Sequence, residues 1–296
     1  MKKILVHEGG GVKGYMSSFV LKRLEEEHGM LGSYYDLMTG SSTGAISTAL
    51  ISSMQLDASS LNSMYPEMVK RVFAKTWYPH LPPIYDRKNF VAVWEQLIDK
   101  NFKMNECACK LMITSLNLCD SMTHFFKSWE KVDGETPLME AVIKSALSAP
   151  LYFDPVVDEG DKAVWSDGGM GYYNMNLDTV IVESILQDWL KEGIMIDIIG
   201  CGYSYKIFPF DKVKKWSFIK ELFDYFRMDD GGIARSVAKQ DQIRKMMKLA
   251  DHIEINYRYW DIAIPEKIDK LDGVNFIKEY AELGKRMAEK PLLEKL

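Results

Sequence analysis

The chain has no stretch of about 18 consecutive apolar residues, so no membrane-spanning helix is expected. Cysteine is scarce. Cys107, Cys109, Cys119 and Cys201 fit no zinc-ligand spacing, and Cys107 and Cys109 sit too close for a CxxC redox pair. They read as idle or buried thiols in a reducing compartment. A basic surplus is missing too: 37 Lys and Arg against 42 Asp and Glu leave a net charge of −5, which argues against a general nucleic-acid binder. The two N-terminal lysines precede only Ile4-Leu5-Val6, too short an apolar run for a secretory leader. No internal repeat, low-complexity tract or linker is visible. The expectation is a cytoplasmic protein, free or peripheral at a membrane surface.

What is present is ordinary for a globular α/β chain. Hydrophobic residues make up 47% of 296 residues, enough for a sizeable core without disulfides or metals. Lys3 to His7 reads as a buried strand ending in glycines, and residues 13–28 as a helix with Met16, Phe19, Val20 and Leu24 on one face and Gly29 as its stop. Tyr35 to Thr39 reads as a second strand, Gly40 to Gly44 as a tight turn, and 43–54 as a helix of small residues. That order implies a parallel βαβ unit with a right-handed crossover. Further strands are expected at 111–118, 123–129, 152–157, 163–165, 195–201 and 253–257, and helices at 87–99, 137–147, 178–192, 212–249 and 274–290. Residues 57–86 are rich in Met, Tyr, Trp and Pro, and Pro79, Pro82 and Pro83 argue against regular structure there. One α/β domain over 1–296 is the simplest organisation, with a cap or insertion at about 57–100 and a mainly helical part at about 206–296.

Three segments carry chemistry. Gly40-Ser41-Ser42-Thr43-Gly44 matches the GxSxG nucleophile elbow, and the register of Gly40 and Gly44 selects Ser42 over Ser41. Such a turn lifts the serine oxygen above a sheet edge, with a helix N-terminus favouring developing negative charge. A Gly/Ser turn capping a helix fits the same residues. Gly9-Gly10-Gly11-Val12-Lys13-Gly14 lies between strand and helix, and its open amides suit the oxyanion of an acyl-transfer intermediate. It also satisfies GxGxxG, the dinucleotide fingerprint, with Asp36 at about the usual 20-residue spacing. However, that acid belongs at the far end of the second strand, and Asp36 stands at its beginning. Asp167-Gly168-Gly169 follows a short strand. A serine needs a base within hydrogen-bond reach, and Asp167 serves directly if it is partly dry with a raised pKa. Alone, the segment is a DGG turn.

Together the three resemble patatin-like phospholipases: a glycine-rich oxyanion loop of the DGGGx[RK]G type, a GxSxG elbow one βαβ unit later, and a DG[GA] aspartate downstream. A fourth block, Ser145-Ala146-Leu147-Ser148-Ala149-Pro150-Leu151-Tyr152-Phe153, resembles the family's segment before the aspartate strand. The resemblance covers about residues 4–205. It implies a three-layer fold related to α/β hydrolases, with a mostly parallel sheet flanked by helices and extra C-terminal helices. It also implies acyl-ester hydrolysis on lipids by a dyad without histidine: Ser42 as nucleophile, Asp167 as base, Gly9, Gly10 and Gly11 as the oxyanion hole, and Lys13 ordering the loop. Gly14, Gly40, Gly44, Gly168 and Gly169 are motif support. The sequence departs from the family twice, with Glu8 for aspartate and Tyr173-Asn174-Met175 where Asn-Asn-Pro is usual.

His252 follows Ser42 and Asp167 in the hydrolase triad order. Its alternation with Ile253, Glu254, Ile255, Asn256 and Tyr257 reads as a solvated strand face, so the dyad is preferred. The expected partners are a phospholipid or other lipid ester and, transiently, a membrane surface; oligomeric state is left open. Two segments are candidates for membrane contact. One is the segment 57–86, where Lys70, Arg71 and Lys75 lie beside Met68, Val72 and Phe73 as in an interfacial helix, although a helix packing on the domain fits at least as well. The other is the stripe Trp216, Ile219, Leu222, Phe223 and Phe226, although such stripes are more often core. No cofactor and no metal is expected. An acyltransferase or thioesterase using the same dyad, and a non-catalytic phosphate- or nucleotide-binding module, are the alternatives.

Overall fold

The computed structural model describes every residue except 76–82, 133, 171, 205–209, 216, 218–219 and 221–231. Strand β1 (Lys2–His7) enters the middle of the molecule. Ile4, Leu5 and Val6 are fully buried on alternate faces, each contributing about 1.5–3 kcal/mol of apolar burial. The glycine loop follows, then α1 (Gly14–His28), stopped by Gly29 at φ 76°. Next come β2 (Leu37–Gly40) and α2 (Thr43–Ser52). β1 and β2 pair in parallel, with His7 opposite Gly40, so the glycine loop and the serine turn leave the sheet at the same end.

The segment after the elbow is more regular than its composition suggests. Helix α3 (Ala58–Val72) is N-capped by Asp57, and the Glu25 carboxylate accepts from the amides of Ala58 and Ser59 at 3.0 Å. Such caps satisfy amides that would otherwise be orphaned. Helix α4 (Arg87–Trp94), β3 (Lys110–Asn117), β4 (Met122–Lys127) and α5 (Met139–Ala146) follow. The expected strand at 152–157 is confined to β5 (Val156–Asp158). Leu151 and Tyr152 instead lie in the turn after Pro150, where their carbonyls accept from Ile84 and Tyr85. β6 (Ala163–Asp167) leads to α6 (Leu177–Leu186), which ends before the expected 192 because Asp188 takes a left-handed conformation at φ 61°. The remaining elements are β7 (Ile194–Ile199), α7 (Gly232–Ala250), β8 (Ile255–Trp260), α8 (Ile277–Met287) and β9 (Leu293–Lys295).

The sheet runs β5-β6-β3-β2-β1-β7-β8-β9, with β4 pairing β3. The five central strands β3, β2, β1, β7 and β8 are parallel; β4, β5, β6 and β9 pair antiparallel. Alternate residues divide between two cores. Leu5, Met38, Leu111 and Ile199 pack under α1, α2, α3 and α8, whereas Ile4, Val6, Leu37, Ile196 and Ile198 pack under α6 and α7. The architecture is therefore three-layer α/β. Beyond residue 205 the described residues include α7 and α8 and two strands of the sheet, of which β8 answers the strand expected at 253–257 and β9 was not expected. His252 is not on a strand: it lies exposed in the turn before β8, and the alternation begins only at Ile255.

Candidate active site

Ser42 stands between β2 and α2 with φ 51° and ψ −124°, a conformation that L residues rarely adopt and that costs about 1–3 kcal/mol. Gly40 and Gly44 make the turn possible by contact. A Cβ on Gly40 would lie 2.3 Å from the Gly44 carbonyl, and one on Gly44 would lie 2.2 Å from the His7 carbonyl. The strain thus follows from two strands and a helix meeting where no side chain fits. Ser41 is fully buried, with its hydroxyl turned from solvent.

Ser42 Oγ donates to Asp167 Oδ2 at 2.7 Å. Asp167 sits at the end of β6 and is only 3% exposed. Burial pushes its carboxyl up to about 6, against the opposing effects of the Ser42 hydroxyl, the Gly169 amide (2.7 Å to Oδ1) and the nearby Arg235. Gly168 rests on the Thr114 carbonyl, where a Cβ would lie 2.6 Å away, so the DGG segment hugs β3.

The glycine loop lies beside the serine. A Cβ on Gly9 would meet Ser42 Cβ at 2.8 Å, and Gly10 packs as closely on Cys201. Gly11 has φ 60°. The Gly9 amide donates to the Asn174 carbonyl at 3.4 Å, whereas the amides of Gly10 and Gly11 find no acceptor among the described residues. Val12 N donates to the Leu271 carbonyl at 2.8 Å. Lys13 is buried and ion-paired with Asp269, which also accepts from Ser204.

Several further residues hold this loop. Glu8, 1% exposed, receives Lys239 Nζ at 2.6 Å, Arg235 Nη2 at 3.4 Å, Cys201 N at 2.9 Å and Asn174 Nδ2 at 3.1 Å. Burial alone would raise its carboxyl; the two cations outweigh that and hold it well below the usual range. Lys239 is shared with Asp261 at 2.6 Å. Arg235 and Asn174 also donate to the Gly9 carbonyl. Of these, Glu8 and Asn174 stood in or beside recognised motifs; Arg235 and Lys239, which sequence reasoning missed, come from α7, where basic residues look like a solvated face.

A cavity of about 460 Å³ opens over Ser42 and Asp167. Its walls are largely apolar: Ile46 from α2, Met68 and Val72 from α3 with Phe73 just after it, Phe90 from α4, and Phe153 after α5. Met68, Val72 and Phe73, the apolar residues of the candidate interfacial stretch, thus line the cavity. Their basic neighbours are solvated because α3 is amphipathic. Trp77 to Pro82 and the stripe Trp216, Ile219, Leu222, Phe223 and Phe226 lie outside the described residues. Among the charged residues at the cavity wall, Arg87, Lys144 and Arg235 outnumber Asp167.

Of the described histidines none lines the cavity. His7 is fully buried against Gly44, and burial pushes its ring down to about 4, so it is neutral. The dinucleotide fingerprint fails on Asp36. That carboxylate accepts from Lys2 Nζ at 3.0 Å and Lys3 N at 2.9 Å, at the end of the sheet opposite the glycine loop. No group of three His, Cys, Asp or Glu side chains suited to a metal occurs among the described residues, and no described helix is long and apolar enough to cross a membrane.

Comparison with known proteins agrees in kind. A family model described as Patatin-like phospholipase matches residues 5–181. A cGAMP-activated phospholipase of Vibrio cholerae is 26% identical over 192 residues, covering 57% of this chain; the chain spans 54% of that relative's length. A cGAMP-activated phospholipase of Escherichia coli is 24% identical over 293 residues, covering 90% of this chain and 81% of the relative. Among solved structures, VipD from Legionella pneumophila aligns over 95% of this chain and 66% of its own, at 10% identity and a TM-score of 0.41. Because the matched segment takes in more than half of the chain and holds the glycine loop, Ser42 and Asp167, the chain belongs to the patatin-like phospholipase family, a family of lipid ester hydrolases.

Proposed function

We propose that the chain is a serine lipid acyl hydrolase acting through a Ser42–Asp167 dyad. The observation that carries this is the 2.7 Å hydrogen bond from Ser42 Oγ to a buried carboxylate raised to about 6, under a largely apolar cavity. At neutral pH a carboxyl at about 6 is mostly ionised, yet basic enough to take a proton from an attacking hydroxyl. Ser42 Oγ attacks the ester carbonyl as its proton passes to Asp167. The tetrahedral oxyanion is received by the amides of Gly10 and Gly11 and by the N-terminus of α2. Collapse expels the alcohol, which takes the proton from Asp167 and leaves an acyl-Ser42. Water then attacks the acyl-enzyme with Asp167 again as base, releasing the fatty acid and restoring the serine. The apolar walls accept the acyl chain. A cyclic-dinucleotide activator belongs to the same proposal, on the strength of the two relatives named for activation by cGAMP.

The test is fatty-acid release from mixed phospholipid vesicles, with and without cGAMP, for the wild type, Ser42→Ala and Asp167→Asn. Release by the wild type that both substitutions abolish supports the dyad. Release that survives Ser42→Ala removes Ser42 as nucleophile. Acyl transfer to an added alcohol in preference to water makes the chain an acyltransferase. If no release occurs, labelling of wild-type Ser42 by a fluorophosphonate decides whether the serine is activated.

A further inference from the structure

We propose that Arg235, on α7, is a positioning residue for the oxyanion loop: it clamps the Gly9 carbonyl and so aims the Gly10 amide at the reacting oxygen. The proposal rests on the reading of Ser42 as nucleophile. The carbonyl of Gly9 and the N–H of Gly10 belong to one planar trans peptide, so they point in opposite directions and turn together. Two donors converge on that carbonyl, the Arg235 guanidinium and Asn174 Nδ2 at 3.1 Å. The Gly10 amide is left without an acceptor among the described residues, in a loop that lines the cavity over Ser42. Glycine offers little resistance to rotation of its flanking peptides, so the loop's aim must come from outside it. A cationic donor also polarises the peptide it holds, which strengthens the N–H at its other end.

The clamp is itself braced. Glu8 precedes Gly9 and holds Arg235 Nη2 at 3.4 Å, while Lys239, one turn along α7, binds the other oxygen of Glu8 at 2.6 Å. Arg235 is 16% exposed at its side chain and also favours the ionised form of Asp167. One guanidinium from beyond the family's matched segment thus acts on both halves of the chemistry, the oxyanion loop and the base. Because Arg235 also borders the cavity, direct contact with a substrate headgroup is the rival role.

The experiment compares wild type, Arg235→Met and Arg235→Lys on two substrates with one acyl chain, a phospholipid in mixed micelles and an uncharged p-nitrophenyl ester. It follows kcat, KM, the rate of fluorophosphonate labelling, the pH profile and the melting temperature. Losing one oxyanion donor costs about 100- to 1,000-fold, and a mis-aimed donor less. Arg235→Met is therefore expected to lower kcat about 10- to 100-fold on both substrates, with KM within about twofold. Labelling slows in parallel, and the acid limb of the profile moves to higher pH. Arg235→Lys, which keeps the charge, recovers part of the rate. A folded Arg235→Met with kcat within about twofold of wild type overturns the proposal. So does a loss confined to the phospholipid, which makes Arg235 a headgroup contact. If Arg235→Met does not fold, Arg235→Lys decides: a fall in kcat at constant KM supports the clamp, and an unaltered kcat removes it. Hydrolysis that persists in Ser42→Ala sinks the dyad instead, and is read separately.

Discussion

Replacing Asp167 by Asn is expected to abolish hydrolysis while making the folded protein more stable at neutral and alkaline pH. Asp167 is 3% exposed, and burial raises its carboxyl from 3.8 to about 6 despite the hydrogen bonds from Ser42 and Gly169. At about 1.36 kcal/mol per pKa unit, that rise means that holding the ionised form in the folded state costs about 3 kcal/mol. The sign follows from linkage. A carboxyl whose folded pKa is raised favours folding when protonated, so its contribution is fully present below about 4 and is lost as pH climbs through 6. Asparagine removes the charge and keeps an acceptor for the Gly169 amide. Urea melts of wild type and Asp167→Asn from pH 4 to pH 8 should therefore diverge. The variant should be more stable by up to about 3 kcal/mol at pH 8, with the difference shrinking to well under 1 kcal/mol near pH 4. The same titration predicts a wild-type kcat/KM that falls as pH drops below about 6, because the protonated carboxyl cannot accept from Ser42. A variant less stable than wild type at pH 8, or a stability difference flat across the range, would refute the account of a charge stored at the expense of the fold.

Two further outcomes follow from the geometry. Ser42→Gly should melt above Ser42→Ala, because only glycine relaxes at φ 51°; about 1 kcal/mol separates them, and equal melting points in matched buffers would deny the strain. Lys13→Met should destabilise by about 3 kcal/mol in urea melts, since it leaves Asp269 buried without its cation, and a loss below about 1 kcal/mol would show that Lys13 is dispensable to the fold.

The parts of the site that the sequence revealed are local. Gly40 and Gly44 bracket Ser42 within five residues, and three glycines run together at 9–11. Their spacing encodes turns that a strand followed by a helix must make, so the elbow, the glycine loop and the order of the first βαβ unit were legible without any contact being known. The regular burial of Ile4, Leu5 and Val6 and the apolar face of α1 were legible for the same reason. Where local signals compete, the expectations slipped. Tyr152 and Phe153 have strand-like composition but lie in a turn and bend, and His252 was drawn into a strand that starts three residues later. For Met68, Val72 and Phe73 beside Lys70 and Arg71, an amphipathic face does not say what it faces; the fold adds that the three apolar residues line the cavity.

By itself the sequence singled out the candidate residues and the turns that present them. Only the tertiary structure decided that Asp167, 125 residues from Ser42, meets its hydroxyl at 2.7 Å, and that burial raises its carboxyl to about 6. It alone brought Arg235 and Lys239 from α7 to Glu8 and the Gly9 carbonyl. The physical reason is range. Backbone preference and apolar period act over a few residues, whereas desolvation and ion pairing depend on which distant segments the fold packs together.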